Sequence, residues 1–128
     1  MPLLQAAGVT ILAGTDAGFL NSFNYPGIGL HDELALYVKT GLTPPEALAS
    51  ATRAGPAWFG TLDRYGSIGV GHVADLVLLR ENPLLDIAAT RSIQSVVLRG
   101  VLYDRADLDR MLAASRTKVA AWNAAAAH

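Results

Sequence analysis

The chain has 128 residues, a formal charge of −1, 52% hydrophobic residues and no cysteine, and it is long enough for one ordinary domain. Near-neutral charge with scattered Lys and Arg argues against nucleic acid and anionic membrane surfaces as partners, and no run reaches the roughly 18 apolar residues of a membrane helix. The missing cysteines remove disulfide and thiolate chemistry and fit a reducing, cytoplasmic setting. Met1-Pro2-Leu3-Leu4-Gln5 lacks a basic segment leading into an apolar core, so no signal peptide is read there. Small domains bury a smaller share of their surface than large ones. A short chain this apolar is therefore expected to bury surface in an oligomer or against the rest of a larger protein.

Residues 2–7 have helical character and stop at Gly8, a C′ glycine. Residues 9–13, Val-Thr-Ile-Leu-Ala, are short, partly β-branched and apolar throughout, which predicts a strand buried on both faces as in a parallel sheet. The chain thus opens with the second half of a β-α-β unit. Gly14-Thr15-Asp16 ends the strand, and a loop runs from Phe19 to Gly29. Leu30, Leu34, Tyr37 and Val38 predict a helix over 30–39, with Asp32 and Glu33 in its first turn and Lys39 in its last, as the helix dipole favours.

Thr43-Pro44-Pro45-Glu46 reads as a capping box with proline at the first helical position. That helix turns Leu48 and Ala51 inward. Pro56, which has no backbone N–H to donate, interrupts it, and a short helix over 56–59 follows. After Gly60 the texture becomes turn-rich and extended. Strands are predicted at 74–79, 95–98 and 101–103, the last two joined by a tight hairpin at Arg99-Gly100. Residues 106–127 are Ala-rich and helix-forming.

Several of these segments together carry a resemblance. Ala13-Gly14-Thr15-Asp16-Ala17-Gly18 is followed by His31-x-Glu33-Leu34 and by Gly41-Leu42-Thr43-Pro44-x-Glu46-Ala47-Leu48. Ala51-Thr52, then Gly66-Ser67-Ile68-x-x-Gly71-x-x-Ala74-Asp75-Leu76-Val77, and then Asn82-Pro83-Leu84 complete the order. The ordered set resembles the end of a metal-dependent amidohydrolase, of the imidazolonepropionase-like and Xaa-Pro-dipeptidase-like branch, over about Pro2 to Tyr103. The resemblance implies an α/β chain that is a C-terminal piece of a (β/α)₈ barrel plus part of a small β-sandwich; as an isolated chain it is α+β. A whole barrel needs about 200 residues or more. The implied organisation is 1–62 for the end of the barrel, 63–104 for part of the sandwich and 105–128 for a terminal helix.

The resemblance also implies a role for Asp16. The family's Asp at the C-terminal end of strand 8 binds the catalytic metal, zinc as the first expectation. It also takes a proton from the metal-bound water and passes it to the leaving group. The family's other ligands, a His-x-His pair, a bridging Lys and two further His, lie on earlier strands and have no counterpart here. Catalytic zinc wants three protein ligands and an open position, and this chain offers only His31, His72 and His128. The expectation is a chain that, alone, neither holds a metal tightly nor turns over substrate. The complete enzyme would hydrolyse an amide, dipeptide or other C–N bond.

Each of these residues also has a plain structural reading. Asp16 can make an Asx turn or cap a short loop helix. His31 is a solvated first-turn histidine or a substrate-facing one. His72 is read as a surface histidine, His128 as a terminal one, Asp75 as a hydrogen-bonded structural carboxylate and Trp58-Phe59 as core packing. Phe23, Asn24 and Tyr25 lie on the loop after the strand, where barrel enzymes carry substrate contacts. An unpaired strand edge predicts a homo-oligomer. A split enzyme with a missing partner chain, or a non-catalytic interaction module, are the alternatives.

Overall fold

The computed structural model describes residues 2–18 and 25–126. They form two compact units. One comprises the described residues up to Val73 together with Leu79–Ser92, and the other comprises Ala74–Leu78 and the described residues from Ile93 onward.

The first unit is helical. Helix α1 (Pro2–Ala6) ends in a Schellman motif. Gly8 has φ +75°, its N–H donates to the Gln5 carbonyl at 2.9 Å, and the Val9 N–H donates to the Leu4 carbonyl at 3.0 Å. Helix α2 (Ile28–Lys39) starts two residues before the sequence expectation, after the Pro26-Gly27 turn. Asp32 and Glu33 therefore lie in its second turn, beyond the first-turn dipole interaction expected for them. Helix α3 (Pro44–Thr52) opens as expected, with Glu46 Oε2 accepting the Thr43 N–H at 2.7 Å. It stops at Thr52, because Pro56 can neither donate to the Thr52 carbonyl nor avoid crowding it. Helix α4 (Ala54–Trp58) continues the chain after this break.

The core of this unit is a cluster of Leu34, Tyr37, Leu42, Ala47 and Ile87, with Ile11, Ala13, Val38, Leu48 and Ala51 packed against it. Leu34 and Tyr37 come from α2 at the spacing that the sequence predicts. In α3 the buried positions are Ala47 and Ser50, while Leu48 and Ala51 are half-buried. Ile87 belongs to a 3-10 helix (Ile87–Arg91) whose cap, Asp86, accepts the Ala88 N–H at 2.9 Å.

Two expectations are corrected here. Residues 9–13 run without regular secondary structure and join no ladder among the described residues; Ala13 N–H donates instead to the Ser50 carbonyl at 3.1 Å. A strand exists only with a neighbour to pair with, and what this segment contacts is helical: Ala13 bonds to α3 and the Leu12 carbonyl faces the Tyr37 hydroxyl of α2. Burial is one-sided as well. Ile11 and Ala13 are half-buried, whereas Val9, Thr10 and Leu12 are exposed. Trp58 and Phe59, expected in the core, are 75% and 76% exposed at the end of α4, and neither joins the cluster.

The second unit holds a three-stranded sheet in the order β1 (Leu76–Leu79), β2 (Ile93–Leu98), β3 (Val101–Tyr103). Strands β2 and β3 form the expected antiparallel hairpin, with Leu98 opposite Val101. Arg99 and Gly100 both have positive φ, 50° and 82°, as a two-residue type I′ turn requires. The turn is fastened from outside: Asp75 Oδ1 accepts the Arg99 N–H at 2.7 Å and the Ala74 carbonyl accepts the Gly100 N–H at 3.0 Å. Asp75 is thus a hydrogen-bonded structural carboxylate, as read from the sequence. Helix α5 (Arg105–Ala126) starts with a reciprocal cap between Asp104 and Asp107, and Arg105 Nη1 donates to the Ile93 carbonyl at 2.9 Å. The α/β class is borne out: helices accompanied by a small antiparallel sheet. Among the described residues no helix is long and apolar enough to cross a membrane.

Candidate functional site

The Gly14-Thr15-Asp16 segment follows residues 9–13, which have no regular secondary structure, and leads into a turn at Ala17-Gly18. Asp16 has φ +47°, a left-handed conformation that Asp tolerates better than most residues with a Cβ. The Ala17 N–H donates to Thr15 Oγ1 at 3.3 Å, a small turn within the segment. Asp16 itself is exposed.

Two side chains of α2 hold the base of this turn. Glu33 Oε1 accepts the Gly14 N–H at 3.0 Å and also a hydrogen bond from the Tyr37 hydroxyl. The Tyr37 oxygen lies 3.5 Å from the Leu12 carbonyl as well. Glu33 and Tyr37 are four residues apart, so one helix face carries both. Burial, followed by the hydrogen bond to Glu33 and its charge, pushes the Tyr37 phenol up to about 12. Glu33 Oε2 is buried and has no hydrogen-bond partner among the described residues.

His31 lies two residues before Glu33 on the same helix, half-buried, with Nδ1 3.0 Å from Thr90 Oγ1. The single proton of the Thr90 hydroxyl is donated to the Ile87 carbonyl at 2.9 Å. His31 must therefore donate through Nδ1–H, which leaves Nε2 with its lone pair in the neutral ring. Burial, then the nearby Arg91 guanidinium, lowers the His31 pKa, against a smaller opposing effect of Asp32. The neutral tautomer is thereby favoured. Asp32 and Arg91 form an exposed ion pair beside it, a type of contact worth about 0–1 kcal/mol.

The structure ties Asp16 and His31 to different neighbours: the Asp16 turn to Glu33, and His31 to Thr90. Tyr25 is exposed; Phe23, Asn24 and His128 lie outside the described residues. His72 is half-buried, and its Nδ1 lies 3.1 Å from the Ser67 carbonyl and 3.3 Å from the Ser67 hydroxyl in exposed contacts, which makes it part of its own turn. From sequence alone, Glu33 reads as a first-turn acid and Tyr37 as core. Their i, i+4 spacing could have signalled the pair; the bond to Gly14, 19 residues away, had no local sign. A groove of about 340 Å³ runs elsewhere, bordered by Ile11, Leu42, Glu46, Arg53 and Leu62, and neither Asp16 nor His31 lines it.

No group of three or more His, Cys, Asp or Glu among the described residues could hold a metal ion. Asp16 offers one exposed carboxylate where a catalytic centre needs about three protein ligands. The described residues do not by themselves fit a catalytic metal.

A sequence model described as the amidohydrolase family matches residues 1–103. No functionally curated protein matches. Among solved structures, the chain is similar to a Xaa-Pro dipeptidase with methionine bound in the active site, at 32% identity and a TM-score of 0.66, over 78% of this chain and 23% of that one. It is similar to a protein described as a prolidase from Bifidobacterium longum, at 33% identity and a TM-score of 0.70, over 89% and 29%. It is also similar to a molinate hydrolase, at 28% identity and a TM-score of 0.69, over 77% and 24%. The chain spans about a quarter of the length of each of these structures.

Proposed function

Because this chain belongs to the amidohydrolase family, we propose that it forms the C-terminal part of a metal-dependent hydrolase acting on an amide or other C–N bond. The match to the family over residues 1–103 carries the reading. Solved relatives named as a dipeptidase and a molinate hydrolase support a small-molecule or dipeptide substrate. In this reading residues 9–13 are a barrel strand, helix α2 is the helix that follows it, and the 76–103 sheet belongs to the small sandwich. Residues 1–62, 63–104 and 105–128 are then the end of the barrel, part of the sandwich and a terminal helix.

Asp16 is the carboxylate that this chain contributes to a metal centre, zinc first, completed by groups outside the chain. Its exposure, directly before the Ala17-Gly18 turn, supports that role. His31 faces substrate, offering Nε2 as a hydrogen-bond acceptor. The chain alone is inactive, and it associates with copies of itself or with a partner chain.

Metal binding tests this. Elemental analysis of the dialysed chain should find no stoichiometric metal, and none in Asp16→Asn, a substitution that keeps a residue tolerant of positive φ. Stoichiometric metal lost in the Asn variant would mean that associating copies rebuild a site, which overturns the inactivity. A zinc titration followed by NMR should give a weak contact confined to residues 14–17 and abolished by Asp16→Asn. A contact centred elsewhere, or unchanged by the substitution, overturns the assignment of Asp16.

A further inference from the structure

We propose that Glu33 is a positioning residue that fixes the Asp16 turn through the Gly14 N–H, with Tyr37 holding the carboxylate in place. The purpose of the device rests on the reading of Asp16 given above; the device itself rests on geometry.

Three observations converge on it. The Gly14 N–H lies two residues before Asp16 and donates to Glu33 Oε1 across 19 positions of sequence. Tyr37 donates to the same oxygen, so Oε1 accepts both bonds while Oε2 stays buried and unpartnered among the described residues. Withdrawing carboxylate oxygens from water costs several kcal/mol unless partners offset it. An apolar side chain at this position would fill the space without that cost. The helix nevertheless spends a carboxylate here, and what the carboxylate reaches is the backbone of the turn. Thirdly, Asp16 is held at φ +47°. A left-handed residue with a Cβ persists where its surroundings over-determine it. The Glu33–Gly14 bond on one side and the Ala17–Thr15 bond on the other supply that constraint.

The consequence is geometric. Gly14 cannot rotate its peptide without breaking a charge-assisted bond, and that peptide sets the direction in which the chain enters Thr15 and Asp16. Glu33 is itself oriented by Tyr37 one helical turn further along α2, and Tyr37 is buried in the core. The Asp16 carboxylate is thereby referenced to the buried core of the unit. The core holds Tyr37, Tyr37 holds Glu33, and Glu33 holds the turn.

The test uses the full chain, isotopically labelled, as wild type, Glu33→Ala and Glu33→Gln. Two signals are read by NMR: hydrogen-exchange protection of the Gly14 amide, and the Asp16 Cα and Cβ shifts, which report its left-handed backbone. Amides of α3 serve as the control for the fold. In Glu33→Ala the Gly14 protection should fall about tenfold or more, the loss expected for one hydrogen bond to a charged acceptor. The Asp16 shifts should move toward random-coil values while α3 stays protected. Glu33→Gln, which keeps an acceptor oxygen at the same reach, should restore most of both signals. Unchanged Gly14 protection and Asp16 shifts in Glu33→Ala overturn the proposal. So does an equal loss across Gly14 and α3, which would make Glu33 a support of the whole unit rather than of the turn. A Gln variant that behaves as the Ala variant overturns it too. Metal enters none of these signals. A turn that proves fixed by Glu33 while Asp16 fails to bind zinc would leave the positioning device standing and remove only the catalytic reading of Asp16.

Discussion

At the scale of single residues, the side chains around the Gly14–Asp16 turn do opposite things with charge. Asp16 stands exposed at the tip of the turn, whereas Glu33 is drawn in against Tyr37 and a backbone N–H. The Tyr37 phenol reports on that arrangement, because ionising it would place a second negative charge beside Glu33 in a poorly solvated spot. Its folded pKa is about 12 against the ordinary 10. The sign follows directly. Below pH 10 the phenol is protonated in both states and its stabilising contribution is complete. As pH rises from 10 toward 12 the unfolded chain loses the proton first, so stability is lost across that window. Tyr37→Phe should flatten this alkaline decline in urea-unfolding free energy. At neutral pH it should cost about 1–2 kcal/mol, since Glu33 keeps its charge and loses a donor. An alkaline decline as steep in Tyr37→Phe as in wild type would place its origin in another group. Little of this was legible in the sequence. An acid and an aromatic four residues apart are common on helices, and only the fold brings Gly14 to them.

At the scale of elements, what could be read in advance is what is decided locally. The capping box at Thr43–Glu46, the break before Pro56, the Gly8 stop and the Arg99-Gly100 hairpin each depend on residues within a few positions, and each is present. Residues 9–13 show the reverse case. Their β-branched, apolar composition is that of a buried strand, yet pairing depends on other strands, and none among the described residues pairs with them. Trp58 and Phe59 follow the same logic, being apolar residues whose cover is not supplied by the residues that the core recruits. The hairpin allows a sharp test of local control. Arg99 occupies a left-handed position at φ 50° that Asn fills with less strain. Arg99→Asn should stabilise the protein by a few tenths of a kcal/mol, to about 1 kcal/mol at most, and raise the thermal midpoint. Gly100→Ala, at φ 82°, should lower it by about 1 kcal/mol. A scan in which both variants match wild type would show that the turn is held by the Asp75 and Ala74 bonds and not by its own backbone preferences.

At the scale of the whole molecule, the chain buries little for its composition. No large side chain among the described residues is fully buried, while Leu3, Ile68, Val70 and Leu85 are each more than 80% exposed. Burial of apolar area contributes about 25 cal/mol per Å², and the conformational entropy opposing it is about 1–2 kcal/mol per residue. A chain that leaves this much apolar surface in water has correspondingly little net stability of its own. Covering that surface is the straightforward way to gain more, and a second copy of the chain or the remainder of an amidohydrolase could each do so. The two differ in their mass action. If copies of the chain cover one another, folding is linked to association, and the unfolding midpoint climbs with protein concentration. We expect the urea midpoint of the purified chain to rise over a hundredfold range of concentration, with light scattering reporting more than one chain per particle. Self-association at dissociation constants well below the working concentration would add about 2.7 kcal/mol for a hundredfold excess of partner over its dissociation constant. A midpoint independent of concentration, together with a monomeric mass, would mean that the exposed apolar residues are not reserved for copies of this chain. The cover would then come from the remainder of an amidohydrolase, the part expected to carry the remaining metal ligands.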